Sequence, residues 1–137
     1  MENKKIIIYT DGGARGNPGP AAYGIVVYNS EGKIIKRIGK FLGERTNNEA
    51  EYEGVIAALE EAAKLAARYV DFYLDSELVV RQLNNIYRAK NQRMQGLLLR
   101  VRNLETKFKK ITYTHVPREK NKLADKLVNE AIDKAGK

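Results

Sequence analysis

Four acidic residues lie where a carboxylate is costly unless it has a partner. Asp11 follows Lys5–Thr10, a short run rich in β-branched and aromatic residues that predicts a β-strand. Asp75 follows Tyr69–Leu74, a run of the same character. Because a carboxylate beside a core strand loses hydration, it must be paired, hydrogen-bonded or bound to a cation. Taken alone, Asp11 is better interpreted as a turn residue that caps amides of the glycine-rich loop expected after it.

The other two acids lie near the starts of predicted helices. Glu51 comes four residues before Val55 and so shares the apolar side of its helix. Because each residue turns a helix by about 100°, Glu49 and Glu53 are expected to face outward. Asp125 lies in the first turn of the last predicted helix, where the helix dipole favours an anion.

These four acids can be given one chemical role. Ligands of α/β sheets collect at the carboxyl edge of the strands, so we expect the acids to meet there. Grouped carboxylates repel one another and need cations, and oxygen ligands without His or Cys favour Mg²⁺ or Mn²⁺. Two such ions would activate a water molecule and stabilise the leaving oxygen of a phosphodiester. On spacing alone, four unrelated caps and surface acids are an equally open interpretation.

The composition excludes several other classes of site. The 137 residues, 43% of them hydrophobic, suffice for one domain with its own core, which we assign to residues 1–137. The sequence contains no cysteine, which excludes disulfides, thiolate zinc sites and thiol nucleophiles. Its single histidine argues against histidine-built metal sites and a Ser-His-Asp triad. No segment has the length of a membrane span, so we expect a cytoplasmic protein without a membrane partner. A monomer is the default expectation.

A net charge of +8 favours a polyanionic partner, although basic proteins also exist for solubility alone. Much of the charge lies in one stretch that contains a single acid, Glu105. We call this stretch the basic arm: Arg88, Lys90, Arg93, Arg100, Arg102, Lys107, Lys109 and Lys110. It predicts either a solvated helix face or a surface that follows phosphates with low sequence specificity.

The pattern of apolar residues and turn residues predicts the order βββαβααβα. The strands are expected at Lys5–Thr10, Ala21–Tyr28, Lys33–Leu42, Tyr69–Leu74 and Lys110–Val116. The helices are expected at 46 to about 68, 76–87, 91–108 and 122–135, the second of them with Leu78, Val79 and Leu83 inward. This order predicts an α/β domain with one five-stranded mixed sheet. Its first three strands are antiparallel, the later ones are parallel, and helices cover both faces.

Four segments of the chain, in order and at matching intervals, resemble the type 1 ribonucleases H, closest to the compact archaeal and plant-like branch. The segments are YTDGGARGNPGPAAYG (9–24), TNNEAEY (46–52), YLDSELVVRQ (73–82) and VPREKNKLADKLVNEA (116–131). The resemblance implies a ribonuclease H-like fold and endonucleolytic cleavage of the RNA strand of RNA–DNA hybrids. The implied products carry 5′-phosphate and 3′-hydroxyl ends. A hybrid-binding module that does not cleave, or an enzyme that also acts on double-stranded RNA, are the alternatives.

The resemblance also implies a role for each acid. Asp11 would bridge two Mg²⁺ ions, for which Mn²⁺ could substitute. Asp125 would complete the site of the ion that activates the water, and Glu51 and Asp75 would bind the ion at the leaving 3′ oxygen. In the glutamate motif the match falls on Glu51, the residue that the helical-face argument selects as well.

Several polar residues resemble substrate contacts of the family. Asn17, Asn47 and Asn48 match contacts in the minor groove of the hybrid, where 2′-hydroxyls distinguish RNA from DNA. Thr46 matches a contact to a DNA phosphate, and in the basic arm we expect Lys90 and Arg93 to contact phosphates. Turn and cap chemistry explains the asparagines equally simply, and both roles are compatible in one side chain.

The loop before Asp125 departs from the family pattern. Bacterial relatives with a longer loop carry a histidine there that moves protons and helps product release. This loop, VPREKN, contains none, and His115 aligns with the preceding strand, where we expect it to be packed. We predict that Arg118 replaces the histidine by stabilising phosphate charge, with Glu119 as the alternative.

Overall fold

The computed structural model describes residues 4–136; the ends of the predicted domain, residues 1–3 and 137, lie outside the described residues. The strands are β1 (Lys5–Ala14), β2 (Gly19–Asn29), β3 (Ile34–Arg45), β4 (Tyr69–Leu74) and β5 (Lys110–His115). The helices are α1 (Asn47–Lys64), α2 (Glu77–Leu83), α3 (Gln92–Glu105) and α4 (Lys122–Ala135), with a short 3-10 helix at Arg118–Lys120.

The strands form one sheet in the order β3-β2-β1-β4-β5. β1 pairs with β2, and β2 with β3, in antiparallel fashion. β4 joins the other side of β1, and β5 joins β4, both in parallel. The predicted fold class, a five-stranded mixed sheet with antiparallel strands first and parallel strands after, is therefore confirmed.

One face of the sheet carries the main apolar core. Alternate residues of β1 and β4, such as Ile6, Ile8, Val70 and Phe72, are fully buried there against α1 and its neighbours α2 and α3. Each side chain of this kind contributes roughly 1.5–3 kcal/mol on burial. This packing fixes the direction of α1, and with it the position of the helix start that carries Glu51.

The other face is covered by α4, which approaches β2 and β3 at two glycines. A Cβ atom at Gly24 would collide with the carbonyl oxygen of Ala124, and one at Gly39 would lie 2.9 Å from that of Leu127. Only glycine permits this separation between helix and sheet. The first turn of α4, with Asp125, is thereby held directly on the sheet.

The largest departure from the predicted elements concerns β1, which continues to Ala14 rather than ending at Thr10. Its pairing with β2 runs without a break through Asp11 and Gly24, whereas its pairing with β4 ends at Tyr9. Gly12 and Gly13 are thus strand residues and not the turn that their type suggested. Asp11 lies inside β1, at the level where the neighbouring strand β4 separates from it.

Three helices end earlier than predicted, α3 among them at Glu105 rather than Phe108. α1 ends at Lys64 because Ala66 adopts a left-handed conformation (φ 58°), and α2 ends at Leu83 before Asn85 does the same (φ 63°). The prediction of the inward face of α2 was also partly wrong: Leu78 is 41% exposed, and Val80 is buried in its place.

Candidate active site

Three of the four predicted acids meet at the end of the sheet where β1 and β4 separate. Asp11, Glu51 and Asp75 each offer a carboxylate oxygen, and these three oxygens lie within 4.8 Å of one another. They come from β1, from the second turn of α1 and from the residue that follows β4. Asp11 and Glu51 are each 6% exposed, so both carboxylates are largely removed from water.

Asp125 faces the same cavity from α4. The cavity has a volume of about 400 Å³ and is lined by the four acids together with Asn47, Asn48, Ser76, Arg118 and neighbouring residues. Asp125 is close enough to Asp11 for its charge to act on that residue. It is not part of the tight group of three oxygens.

The electrostatics of this cluster favour proton or metal binding. Burial, reinforced by the charges of Asp75 and Asp125, raises the pKa of Asp11 to about 8. Burial also raises the pKa of Glu51 well above its usual range, with Asp11 and Asp75 adding to the effect. The buried Oε1 of Glu51 has no hydrogen-bond partner among the described residues. Ionised together, these groups require a cation in the cavity.

Gly12 brings α1 against β1. A Cβ atom at Gly12 would collide with the backbone at Ala50 and Glu51, so only glycine allows the helix start to lie on the strand. The backbone N–H of Gly12 also donates to Oδ1 of Asp11 at 3.0 Å, which orients that carboxylate. The short separation between Asp11 and Glu51 therefore depends on a residue that carries no side chain.

Asn17 and Asn47, both predicted substrate contacts, are joined through backbone amides at the edge of the cavity. Oδ1 of Asn17 accepts from the backbone N–H of Asn47 at 2.9 Å, and Oδ1 of Asn47 accepts from that of Ala14 at 2.8 Å. Each asparagine uses only its oxygen in these bonds, which fixes the orientation of its amide nitrogen. Both residues are exposed, and neither amide nitrogen donates a hydrogen bond to another described residue, so both nitrogens remain available as donors.

Comparison with known proteins identifies the family. A family profile described as reverse transcriptase-like matches residues 9–131. The crystal structure of RNase H1 from Halobacterium salinarum is 42% identical and superposes with a TM-score of 0.92, covering 95% of this chain and 98% of that one. The chain belongs to the type 1 ribonuclease H family. The resemblance stated from the sequence motifs is thereby confirmed.

Two further relatives of this chain are informative. The crystal structure of LC11-RNase H1 in complex with an RNA/DNA hybrid is 42% identical, with a TM-score of 0.92 over 96% of this chain and 99% of that one. The bifunctional protein Rv2228c of Mycobacterium tuberculosis is 41% identical over 132 residues, or 96% of this chain. The chain spans only 36% of the length of that mycobacterial protein.

Arg118 and Glu119, the two candidates for the missing loop histidine, differ in position. Arg118 lines the acidic cavity, and its charge acts on Glu51. Glu119 is exposed on the same short 3-10 helix and is not one of the residues that line the cavity. His115 lies in β5 as predicted, although the strand ends there and not at Val116. It is exposed, so the expectation that it is packed was wrong.

The start of α1 corrects the prediction for Glu49. This residue is 7% exposed and not outward-facing, because it closes a capping box with Thr46. Oγ1 of Thr46 accepts from the N–H of Glu49 at 3.1 Å, and Oε1 of Glu49 accepts from the N–H of Thr46 at 2.8 Å. The same carboxylate forms an ion pair with Arg93 of α3. The polar pattern of this turn reflects capping, which the apolar periodicity alone could not reveal.

The residues of the basic arm differ in their surroundings. Arg102 points inward, where it donates to Glu105 and to the carbonyl oxygen of Leu83. Arg93, although paired with Glu49, keeps a side chain that is 68% exposed. Lys90 is exposed and lines a second cavity that also includes Asn48, beside the acidic one. Arg88, Arg100, Lys107, Lys109 and Lys110 are exposed as well.

Asn121 is a site residue whose role the sequence did not reveal. It occupies the N-cap position of α4, but its side chain makes no capping bond. Instead it is 2% exposed and hydrogen-bonds to Asp75. An asparagine before a helix predicts a cap so strongly that no other signal pointed to this contact.

Among the helices of residues 4–136, none is sufficiently long and apolar to cross a membrane.

Proposed function

We propose that this chain is an endoribonuclease that hydrolyses the RNA strand of RNA–DNA hybrids and leaves 5′-phosphate and 3′-hydroxyl ends. The observation that carries the proposal is the group of Asp11, Glu51 and Asp75, whose oxygens lie within 4.8 Å of one another in a cavity shared with Asp125. The hybrid bound in the LC11-RNase H1 structure supports the choice of substrate. We assign the activity to a single domain, residues 1–137, acting as a cytoplasmic monomer.

The donor set fits divalent metal ions. All the converging groups are carboxylate oxygens, the kind of ligand that Mg²⁺ and Mn²⁺ prefer. Burial raises the pKa of both Asp11 and Glu51, and Oε1 of Glu51 is buried without a hydrogen-bond partner among the described residues. A cation in this position would compensate the charge and satisfy that oxygen. We therefore propose that Asp11, Glu51, Asp75 and Asp125 hold two Mg²⁺ ions, with Mn²⁺ as a substitute.

The chemistry that such ions supply when bound is activation of a water molecule and stabilisation of the departing 3′ oxygen. The protein contributes a rigid arrangement of ligands. The four acids belong to β1, α1, α4 and the segment after β4, and Gly12 keeps two of these elements in contact. Because the ligands are fixed before substrate arrives, little reorganisation is required at the reacting phosphate.

Selection of the RNA strand is assigned to the asparagines beside the cavity. The oxygens of Asn17 and Asn47 are held by backbone N–H groups, so the amide nitrogens remain available to donate to a substrate. A 2′-hydroxyl of RNA accepts such a hydrogen bond, and DNA has no equivalent group. Asn48 lines both cavities and completes this contact with the minor groove, while Thr46 contacts a phosphate of the DNA strand.

We assign binding of the phosphate groups to two further sets of residues. Arg118, which lines the acidic cavity, stabilises the negative charge on the reacting phosphate in place of a loop histidine. Lys90 and Arg93 of the basic arm contact phosphates away from the scissile bond, which gives affinity without sequence specificity.

The proposal is tested with three labelled duplexes of one sequence: an RNA–DNA hybrid, double-stranded RNA and double-stranded DNA. With Mg²⁺ we expect internal cleavage of the RNA strand of the hybrid and no cleavage of DNA. End-labelling of the fragments identifies the 5′-phosphate and 3′-hydroxyl termini. Binding of the hybrid without cleavage in either Mg²⁺ or Mn²⁺ would contradict the proposal and indicate a binding module.

A further inference from the structure

Asn121 makes contacts that connect three of the four acidic positions. Its Nδ2 donates to Oδ2 of Asp75 at 3.1 Å and to the carbonyl oxygen of Thr10, the residue before Asp11, at 2.8 Å. Its own carbonyl oxygen accepts from the backbone N–H of Asp125 at 3.1 Å, the first hydrogen bond of α4. One residue thus joins β1, the segment after β4 and the helix that carries Asp125.

These contacts are made at a cost to the local structure. As the N-cap of α4, Asn121 would ordinarily accept a hydrogen bond from the first turn, yet no such bond is present. Its Oδ1 is buried and has no partner among the described residues, an arrangement that lowers stability. Stability of α4 therefore does not explain the orientation of this side chain, whereas the position of the acids does.

We propose that Asn121 is a positioning residue that sets the separation of Asp75 from Asp11 and ties the start of α4 to both. The inference rests on the proposed function, since its purpose is to hold metal ligands in place. Asn121 itself contacts neither substrate nor the reacting atoms; it acts through Asp75. Residues that orient a metal ligand typically change metal affinity or activity by about 10–100-fold when they are replaced.

The chemistry of the two contacts specifies an amide at this position. Both partners, a carboxylate and a carbonyl oxygen, are acceptors, so the side chain must donate two hydrogens. An aspartate has the same size and is an equally good N-cap, but it donates none and adds a fifth negative charge. Asn121→Asp consequently removes the two donated hydrogen bonds while it keeps a residue that can cap α4.

The matched control is Asn29→Asp. Oδ1 of Asn29 accepts from the backbone N–H groups of Glu31 and Lys33, both at 3.0 Å, in the hairpin between β2 and β3. An aspartate satisfies both bonds, and the residue lies at the end of β2 that pairs with Ile6, away from the acidic cluster. The control makes the same change of charge where the side chain only accepts.

The experiment measures metal binding as well as turnover. For each variant, the melting temperature is recorded without metal and with Mn²⁺, Mn²⁺ binding is measured by calorimetry, and hybrid cleavage is followed against Mg²⁺ concentration. For Asn121→Asp we expect the Mn²⁺-induced rise in melting temperature to be lost and the Mg²⁺ requirement to increase by about tenfold or more. KM for the hybrid should change little, and Asn29→Asp should match the unchanged protein throughout.

A second variant, Asn121→Ser, allows the proposal to be tested if Asn121→Asp does not fold. Serine caps well, carries no charge and donates one hydrogen, so we expect an intermediate loss of Mn²⁺ stabilisation. If a folded variant of Asn121 keeps the full Mn²⁺ effect, or if both variants fail to fold, the residue is structural and the proposal is wrong. A failure of the proposed function is distinguishable, because the unchanged protein would then bind Mn²⁺ and yet leave the hybrid intact.

Discussion

The acidic cavity and the basic arm both carry charge, but they are built in opposite ways. Each acid in the cavity lies on a different element, and two of the acids are almost completely buried. The residues of the basic arm lie on α3 and its flanking segments, and most of them are exposed. A buried charge interacts strongly with neighbouring charges, whereas the interactions of an exposed charge are screened by water and salt. Single substitutions in the cavity should therefore change activity strongly, whereas single substitutions in the basic arm should change it only slightly.

The sharpest test of this contrast is Asp75→Asn. The substitution keeps the size of the side chain but removes one charged ligand from the group of three, which lies within 4.8 Å. Because metal ions contribute several kcal/mol to phosphodiester hydrolysis, we expect turnover to fall by roughly a thousandfold or more. Binding of the hybrid should persist, because the basic arm is intact. Gel-shift and single-turnover assays measure the two quantities, and substantial turnover by the variant would contradict the proposed mechanism.

Gly12→Ala tests whether the cavity depends on backbone contact rather than on the acids alone. The added methyl group would collide with the backbone of α1 at Ala50 and Glu51. We expect a loss of about 1–3 kcal/mol in the free energy of unfolding and a clear loss of activity, because α1 must shift away from Asp11. Denaturant unfolding and hybrid cleavage measure the two effects.

Gly13→Ala is the control for that substitution. A Cβ atom at Gly13 would meet only Cγ1 of Val128 at 3.8 Å, an ordinary contact. The control should retain stability, and equal destabilisation by both variants would mean that any side chain in this part of β1 is harmful.

Asp11→Asn tests the electrostatic cost of the cavity in the absence of metal. Burial raises the pKa of Asp11 to about 8, so folding favours its neutral form. Below about pH 4 Asp11 is neutral in both the folded and the unfolded state, so it does not lower the free energy of unfolding. As the pH rises towards 8 it ionises readily only in the unfolded state, and the free energy of unfolding falls. In EDTA, Asn at this position should therefore raise the free energy of unfolding by roughly 1–3 kcal/mol at pH 8 and change it little at pH 4. Lower stability of the variant at pH 8 would show that Asp11 is structural.

The same contrast explains which features could be predicted from the sequence. The order of strands and helices along the chain and the inward position of Glu51 follow from apolar periodicity, which packing enforces throughout the chain. The extent of β1 does not, because Gly12 and Gly13 have the composition of a turn and only pairing with β2 makes them strand. The contacts of Asn121 could not be predicted either, since they join residues 46 and 111 positions apart. Burial of Glu49 follows from its capping box and Arg93, which the periodicity ignores.

The smallest expected effect lies in the basic arm. Lys90 is exposed, so Lys90→Gln should remove one proposed phosphate contact without disturbing the fold. We expect KM for the hybrid to rise by only a few fold at moderate salt, with turnover unchanged. The slope of log affinity against log salt should fall by about one, the value for a single released counterion.

Arg93→Gln offers the informative comparison within the basic arm. Arg93 pairs with the buried carboxylate of Glu49, which also caps the start of α1. Its loss should therefore reduce the salt slope and, in addition, lower stability and turnover, because α1 carries Glu51. If the two variants behaved identically, the ion pair would have no influence on the cavity, and the basic arm would be independent of the acids. A larger effect of Arg93→Gln on turnover would show that the two regions are coupled through the first turn of α1.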